Sequence, residues 1–209
     1  MPRKLPVCEF FEEDNNGRMH VLHHCDKDVV LKMTSLLVRL MQGAIQSNFP
    51  TSLKREMEVP DNANLIMPRL WLGNARASMD DQFMKQNNIT VVFNCTKDIP
   101  FHRSIRRCYR VPVDDNLEEE EIRNMELWSF EIVAKLAREY NSGHTILVHC
   151  AAGRQRSAAV VAMYLIATSR MTTEKAIDYI QKKRPIAFTP EANFHASIEG
   201  FERSLQEKL

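Results

Sequence analysis

The stretch from 144 to 168 constrains the fold of this chain more than any other feature. An apolar run, HTILVHC (144–150), is followed by the short polar segment AAGRQR and then by a second apolar run, SAAVVAMYLIAT (157–168). The first run is typical of a buried strand, and the second has the length and composition of a buried helix. A strand that leads through a tight loop into a helix predicts an α/β domain with a mostly parallel sheet.

The other segments from Leu65 onward alternate in the same way. LIMPRLWLGN is predicted to be a short edge hairpin, because Pro68 cannot donate a ladder hydrogen bond in a central strand. Further strands are predicted at 89–95 and 107–113, and helices at 77–87, 117–140, 172–184 and 192–208. We therefore expect residues 64–209 to form one α/β domain, with a central sheet of about five mostly parallel strands flanked by helices.

Four acidic residues, Glu118 to Glu121, open the long helix predicted at 117–140. Carboxylates near a helix N-terminus are stabilised by the positive end of the helix dipole. This structural effect explains the four acids, and the sequence assigns them no further role.

Composition excludes several classes of protein. The chain has 209 residues, 28 Lys plus Arg against 27 Asp plus Glu, and a formal net charge of +1. This balance argues against a general nucleic-acid-binding protein. No apolar run has the ~18 residues that a membrane span needs, and the N-terminus lacks the apolar stretch of a secretory signal. The 5 cysteines are scattered and odd in number. We therefore expect a cytoplasmic protein, with the nucleus as a second location, rather than a secreted one.

Residues 1–63 are predicted to be an N-terminal extension. The first 25 residues are polar and irregular, with Asn15-Asn16-Gly17 as a turn signal. Apolar residues then recur at helical spacing between about 26 and 47, and a breaker-rich linker follows. The scattered Cys8, His20, His23, His24 and Cys25 match no compact metal-ligand pattern, so no metal or other cofactor is expected.

The predicted helix at 26–47 has an apolar stripe that needs a partner surface. Residues 64–209 of the same chain, a second copy of the chain or a membrane could cover the stripe. A membrane is disfavoured because Lys32 and Arg39 supply only two nearby cations. We expect a homodimer through this helix, since the linker does little to hold it against its own domain.

Chemically informative residues come directly after the strand HTILVHC. Cys150 begins the loop, and Arg156 stands where the next helix starts. Backbone N–H groups in such a loop and at a helix N-terminus attract anions, and Gly153 lets the backbone approach them closely. The same positive field stabilises a thiolate, the nucleophilic form of cysteine. The sequence thus predicts a low-pKa nucleophile within an anion site, which suits attack on phosphorus.

The segment HCAAGRQRS (149–157) resembles the His-Cys-x-x-Gly-x-x-Arg-Ser signature of the dual-specificity group of cysteine-dependent protein phosphatases. Other segments resemble the same family in the expected order, and the resemblance covers about residues 64–206. These segments are LWLGN (70–74), ITVVFNCT (89–96), YRVPVDD (109–115) and RPIAFTPEANF (184–194).

The resemblance implies a role for each matching residue. Cys150 would form a phosphocysteine intermediate, Arg156 would bind the phosphoryl group, and Asp115 would act as the general acid. The substrate phosphate would lie against the loop residues Ala151, Ala152, Gly153, Arg154, Gln155 and Arg156.

Three further residues have supporting roles in this resemblance. Ser157 would help the thiolate of Cys150 to leave in the second step, and the same residue is placed to cap the helix. His149 would hold the loop and lower the Cys150 pKa through hydrogen bonds. Asn193 would brace a neighbouring turn.

The same resemblance implies that phosphoproteins carrying phosphotyrosine, phosphoserine or phosphothreonine are the substrates. Arg154 is less usual, because many protein phosphatases of this group carry an apolar residue or Gly at this position, whereas lipid-directed branches carry Lys or Arg. Those branches often add a basic residue directly after the cysteine, where this chain has Ala151. A phosphoinositide or other phospholipid phosphatase is therefore the alternative. An RNA 5′-triphosphatase and a phosphate-binding pseudo-enzyme are further alternatives.

Cys95 ends the predicted strand ITVVFNC, just as Cys150 ends HTILVHC. The carboxyl ends of neighbouring parallel strands converge, so the two thiols are expected to lie near each other. A reversible disulfide between them would protect Cys150 from irreversible oxidation. A buried inert thiol is the favoured alternative for Cys95.

Overall fold

The computed structural model describes residues 9–13, 19–24 and 62–208. The strands within these ranges are β1 (Glu9–Glu13), β2 (Met19–His24), β3 (Ala63–Met67), β4 (Leu70–Gly73), β5 (Val91–Asn94), β6 (Arg107–Arg110) and β7 (Ile146–His149). The helices are α1 (Ala75–Met79), α2 (Asp81–Gln86), α3 (Glu119–Asn141), α4 (Arg156–Ser169), α5 (Thr173–Lys183) and α6 (His195–Gln206).

Five of the strands form the central sheet in the order β3-β4-β7-β5-β6. β3 is antiparallel to β4, and the other neighbouring pairs are parallel. Pro68 lies in the turn between β3 and β4. β3 is the outermost strand of the sheet, so the hairpin lies at the edge, as predicted. The predicted α/β fold with a mostly parallel five-stranded sheet is confirmed.

Side chains that alternate along the strands divide between the two faces of the sheet. Val91, Phe93, Ile146 and Val148 belong to the large apolar cluster that includes residues of α3 to α6. Val92 and Leu147 belong instead to a smaller cluster that includes Trp71 and residues of α1 and α2. Helices therefore cover both faces, which explains why β5 and β7 are apolar at nearly every position.

The carboxyl ends of the parallel strands meet at one edge of this sheet. His149 at the end of β7 pairs with Gly73 at the end of β4 and with Asn94 at the end of β5. Asn94 in turn pairs with Arg110 at the end of β6. The residues directly after these strands are consequently brought together, and in open α/β sheets this edge is the usual place for a ligand.

The N-terminal hairpin was not predicted. β1 and β2 pair in antiparallel register with an irregularity between Phe10 and Phe11, so residues 9–13 and 19–24 are more regular than the sequence indicated. The Asn15-Asn16-Gly17 signal stands between the two strands, but the strands lack a clean apolar alternation. Parts of β1 lie within 8 Å of β6 between Cα atoms.

The predicted helix at 26–47 and most of the linker lie outside the described residues, so the homodimer stays a prediction. Across the ranges that the structure describes, each helix is either too short or too polar to traverse a lipid bilayer.

Candidate active site

A tight loop, residues 150–155, joins the central strand β7 to the buried helix α4; we call it the Cys150 loop. Gly153 adopts a φ of 66°, a conformation that favours glycine. A Cβ atom at this position would lie 2.4 Å from the carbonyl oxygen of Gly73. Only glycine fits here, because β4 passes directly beside the loop.

The thiol of Cys150 lies at the base of this loop, and the residue is 1% exposed. The backbone N–H of Gly153 and the hydroxyl of Ser157 each donate a hydrogen bond to Sγ at 3.2 Å. Both donors favour a negatively charged sulfur. Ser157 does not cap α4, since Gln155 is the capping residue, so the predicted capping role is wrong.

Burial by itself would raise the pKa of Cys150, because desolvation disfavours the thiolate. The hydrogen bonds from Ser157, the charge of Arg156 and the backbone of Arg154 outweigh this effect and hold the pKa below its usual value. The thiolate is the reactive form of cysteine. The site therefore contains a buried thiol whose surroundings favour the thiolate form.

Arg156 begins α4 and reaches across to the loop after β6. Its Nη1 donates a hydrogen bond to the carbonyl oxygen of Val113 at 3.1 Å. Its buried Nε has no hydrogen-bond partner among the described residues. The guanidinium is thus anchored on one side and presents a further N–H, a geometry suited to the oxygens of a phosphoryl group.

The loop from 111 to 118, which we call the Asp loop, carries the two adjacent aspartates. Asp114 forms an ion pair with Lys97 Nζ at 2.7 Å. Asp115 is exposed, and its Oδ1 accepts a hydrogen bond from Asn193 Nδ2 at 2.7 Å. Within the described part of the chain, one carboxylate is therefore engaged by a cation, whereas the other is held by a neutral amide. Asn193 contacts the predicted general acid directly.

His149 ends β7 and is completely buried. Burial lowers the pKa of its imidazole to about 4, with smaller contributions from Arg110 and Arg156, so the ring is neutral at pH 7. The ring interacts with the Cys150 backbone, but its nitrogens make no hydrogen bond of ordinary geometry within the described residues. With its pKa lowered by burial, the ring is a weak base, and neither ring nitrogen is hydrogen-bonded to the Cys150 thiol.

The remaining loop residues face two directions. Ala151, Ala152 and Arg154 are exposed. Gln155 is buried, and its Nε2 donates to the carbonyl oxygens of Thr189 and Glu191 at 3.3 and 2.7 Å. Its Oε1 accepts from the backbone N–H of Asn193 at 3.1 Å. The Gln155 side chain therefore braces the turn before α6, and only its backbone remains for a ligand.

Arg184 is a supporting residue that sequence reasoning missed. It is fully buried just after α5, and its Nε donates to the carbonyl oxygen of Gly153 at 2.8 Å. Nη1 and Nη2 donate to Asn64 and to the carbonyl oxygen of Ala152. The guanidinium thus fixes the outer side of the Cys150 loop. The only sequence signal was the family-like segment 184–194, which does not show where the side chain points.

The comparisons with known proteins agree with this geometry. The family model for the dual specificity phosphatase catalytic domain matches residues 70–204. A solved structure of a mouse dual specificity phosphatase with zinc tungstate is 29% identical, with a TM-score of 0.63, and covers 75% of this chain and 96% of that chain.

Two human relatives have similar identities. Dual specificity protein phosphatase 8 is 29% identical over 80% of this chain, and dual specificity protein phosphatase 2 is 31% identical over 66% of it. The matches span only 27% and 42% of the lengths of these two relatives. The family match extends over more than half of the chain and includes both the Cys150 loop and the Asp loop. This chain belongs to the dual specificity phosphatase family.

Proposed function

We propose that this protein is a phosphatase that hydrolyses phosphotyrosine and phosphoserine or phosphothreonine in proteins through a phosphocysteine intermediate. The observation that carries this proposal is the Cys150 thiol, whose pKa is held below its usual value beside the anchored guanidinium of Arg156. A thiolate within a phosphate-binding loop is positioned to attack phosphorus.

In the first step the Cys150 thiolate attacks the phosphorus atom, and the bond between phosphorus and the leaving oxygen breaks. The backbone N–H groups of residues 151–156 and the Arg156 guanidinium stabilise the equatorial oxygens as charge spreads over them. Asp115, in its protonated form, donates its proton to the leaving oxygen. The products are a free hydroxyl group and phosphocysteine.

In the second step water attacks the phosphocysteine. The Asp115 carboxylate accepts a proton from this water, the new phosphorus–oxygen bond forms, and the sulfur–phosphorus bond breaks. Ser157 donates its hydrogen bond to the departing Sγ, which stabilises the regenerated thiolate. Inorganic phosphate is released, and no cofactor takes part in either step.

Turnover of matched phosphotyrosine and phosphothreonine peptides tests the substrate class. The sequence shows no additional segment like the deep-pocket loop of tyrosine-specific enzymes. We therefore expect both peptides to be hydrolysed, with rates within about a hundredfold of each other, or ~3 kcal/mol in activation free energy. A strict preference for phosphotyrosine by several orders of magnitude would contradict dual specificity.

The exposed side chain of Arg154 favours a second candidate, a phosphoinositide phosphatase. A second cation beside the Cys150 loop would attract a headgroup that carries more than one phosphate. Comparing phosphopeptides with a phosphoinositide panel, for the natural protein and Arg154→Ala, separates the candidates. A lipid enzyme should prefer the panel and lose far more activity on it than on peptides when Arg154 is removed.

A further inference from the structure

A three-residue ion cluster lies behind the Asp loop. Lys97, in the segment after β5, contacts Asp114 Oδ2 at 2.7 Å and also pairs with Glu121 Oε1. Glu121 uses its other oxygen to accept a hydrogen bond from the backbone N–H of Asp114 at 2.9 Å. Lys97 and Glu121 therefore hold both the side chain and the backbone of the residue directly before Asp115.

Glu121 belongs to the four acids that the sequence explained through the helix dipole alone, and that explanation is incomplete. Its side chain is only 9% exposed, whereas the side chains of Lys97 and Asp114 are nearly half exposed. The hydrogen bond with Asp114, followed by that with Glu121, raises the Lys97 pKa, so the ammonium stays charged in the range where a phosphatase works. The cluster joins the start of α3 to the end of β5 through the Asp loop.

The Asp loop has further attachments on either side of this cluster. The Val113 carbonyl oxygen accepts from Arg156, and the Asp115 carboxylate accepts from Asn193. Asn193 therefore holds the Asp115 carboxylate itself. Lys97 and Glu121 hold the side chain and the backbone N–H of Asp114, the residue to which the Asp115 backbone is joined.

We propose that Lys97, bridging Asp114 and Glu121, is a positioning residue for Asp115 and sets the ratio of phosphoserine and phosphothreonine turnover to phosphotyrosine turnover. This inference rests on the proposed function. Alkoxide leaving groups are far more basic than the phenolate of tyrosine, whose conjugate acid has a pKa of about 10. Proton donation from a correctly placed acid therefore matters more for serine and threonine esters than for tyrosine esters.

The experiment compares Lys97→Met, Lys97→Arg and the natural protein on matched phosphothreonine and phosphotyrosine peptides. For Lys97→Met we expect kcat on phosphothreonine to fall about 10-fold or more, since small displacements of a catalytic group are costly. The kcat on phosphotyrosine should fall less than about threefold, and KM for both peptides should change little. Lys97→Arg should restore most of the phosphothreonine activity because it keeps the charge.

Lys85→Met is the matched control, because Lys85 is an exposed lysine in an ion pair with Asp81 at 4.0 Å, within α2. It should leave the ratio of the two activities unchanged. Unaltered inhibition by orthovanadate would show that the Cys150 loop of Lys97→Met is intact. Equal losses on both peptides, or no loss, would overturn the positioning role while the natural protein remained active. A natural protein inactive on both peptides would instead overturn the proposed function, and this inference with it.

Discussion

Cys95 and Cys150 occupy equivalent places on neighbouring strands, yet their chemistry is opposite. Each comes directly after the last residue of a parallel strand, β5 or β7, and neither is more than 1% exposed. The backbone N–H of Cys95 even donates to the carbonyl oxygen of His149 at 2.7 Å. The pKa of Cys95 is raised well above its usual value, whereas that of Cys150 is lowered.

The difference comes from the segment into which each strand leads. Burial is the largest influence on both thiols, and for Cys95 it is reinforced by the negative charge of Cys150, with only partial relief from Arg156. Cys150 receives hydrogen bonds from Gly153 and Ser157, because its loop turns directly into α4. A buried cysteine is therefore inert by default, and the strand–loop–helix turn makes it reactive.

Replacing the two cysteines in turn should give the largest contrast. Cys150→Ser removes the nucleophile, so we expect turnover of phosphotyrosine peptides to fall at least about 10⁴-fold. The turnover by Cys95→Ser should remain within about threefold of that by the natural protein, since this substitution leaves Cys150 and its loop in place. Steady-state kinetics measures both, with orthovanadate binding as the check on folding. Comparable losses in the two variants would show that Cys95 takes part in the chemistry.

The Arg156→Lys variant tests how much of the difference in reactivity between Cys150 and Cys95 depends on the Arg156 guanidinium. Lysine keeps the charge but cannot both bond to Val113 and present a second N–H in a fixed plane. We expect kcat/KM to fall about 10²–10³-fold. Single-turnover kinetics would localise the loss to phosphoryl transfer. A variant with nearly natural activity would mean that the backbone amides alone bind the phosphoryl group.

Asp115→Asn and Asp114→Asn test which carboxyl group donates the proton to the leaving oxygen. Removing the general acid should slow esters with poor leaving groups by about 10²-fold and activated aryl phosphates much less. We expect this selective loss on poor leaving groups for Asp115→Asn, since the Asp115 carboxylate is the one held by Asn193 in the natural protein. Asp114→Asn should show a weaker version through the lost pairing with Lys97. The reverse order would reassign the acid to Asp114.

Alkylation by iodoacetamide at increasing pH compares the thiols without a substrate. Only the thiolate reacts. A thiol with a lowered pKa therefore reacts at lower pH, and a thiol with a raised pKa reacts only at higher pH. Cys150 should therefore be labelled at a pH where Cys95 is not. Ser157→Ala removes one donor and should slow Cys150 labelling about 10-fold or more near neutral pH, as expected for the loss of a hydrogen bond to a charged group. Labelling that is insensitive to Ser157 would contradict this account.

Mild oxidation is the smallest effect that this comparison predicts. Both cysteines are free thiols in the structure. If the sulfenic acid of Cys150 condenses with Cys95, mass spectrometry after dilute peroxide should find a peptide that links them. Only a minor fraction is expected, because Cys95 is protonated and therefore a poor nucleophile. Sulfinic acid at Cys150 with no linked peptide would leave Cys95 as an inert core thiol.

Much of the site was predictable because its central part is local in sequence. Cys150, Gly153, Arg156 and Ser157 lie within eight consecutive residues, and the strand before them and the helix after them set their geometry. The elements from β3 to α6 were also predictable in order and type, except that the single helix predicted at 77–87 is two short helices, α1 and α2. Their ends were less so: the strand predicted at 107–113 ends at Arg110, because the chain leaves the sheet edge there to form the Asp loop.

The amino-acid sequence by itself determined the α/β class and the Cys150 loop, since apolar runs and turn residues act over short distances along the chain, and the family resemblance of YRVPVDD added the pair of aspartates. Tertiary structure alone decided which aspartate is held by Lys97 and which by Asn193, and that Arg184 braces Gly153 from 31 residues away. It also decided that Glu121 serves the Asp loop rather than the helix dipole alone. These contacts join side chains from separate elements, and their partners are chosen by how the helices pack on the sheet, which no local pattern encodes.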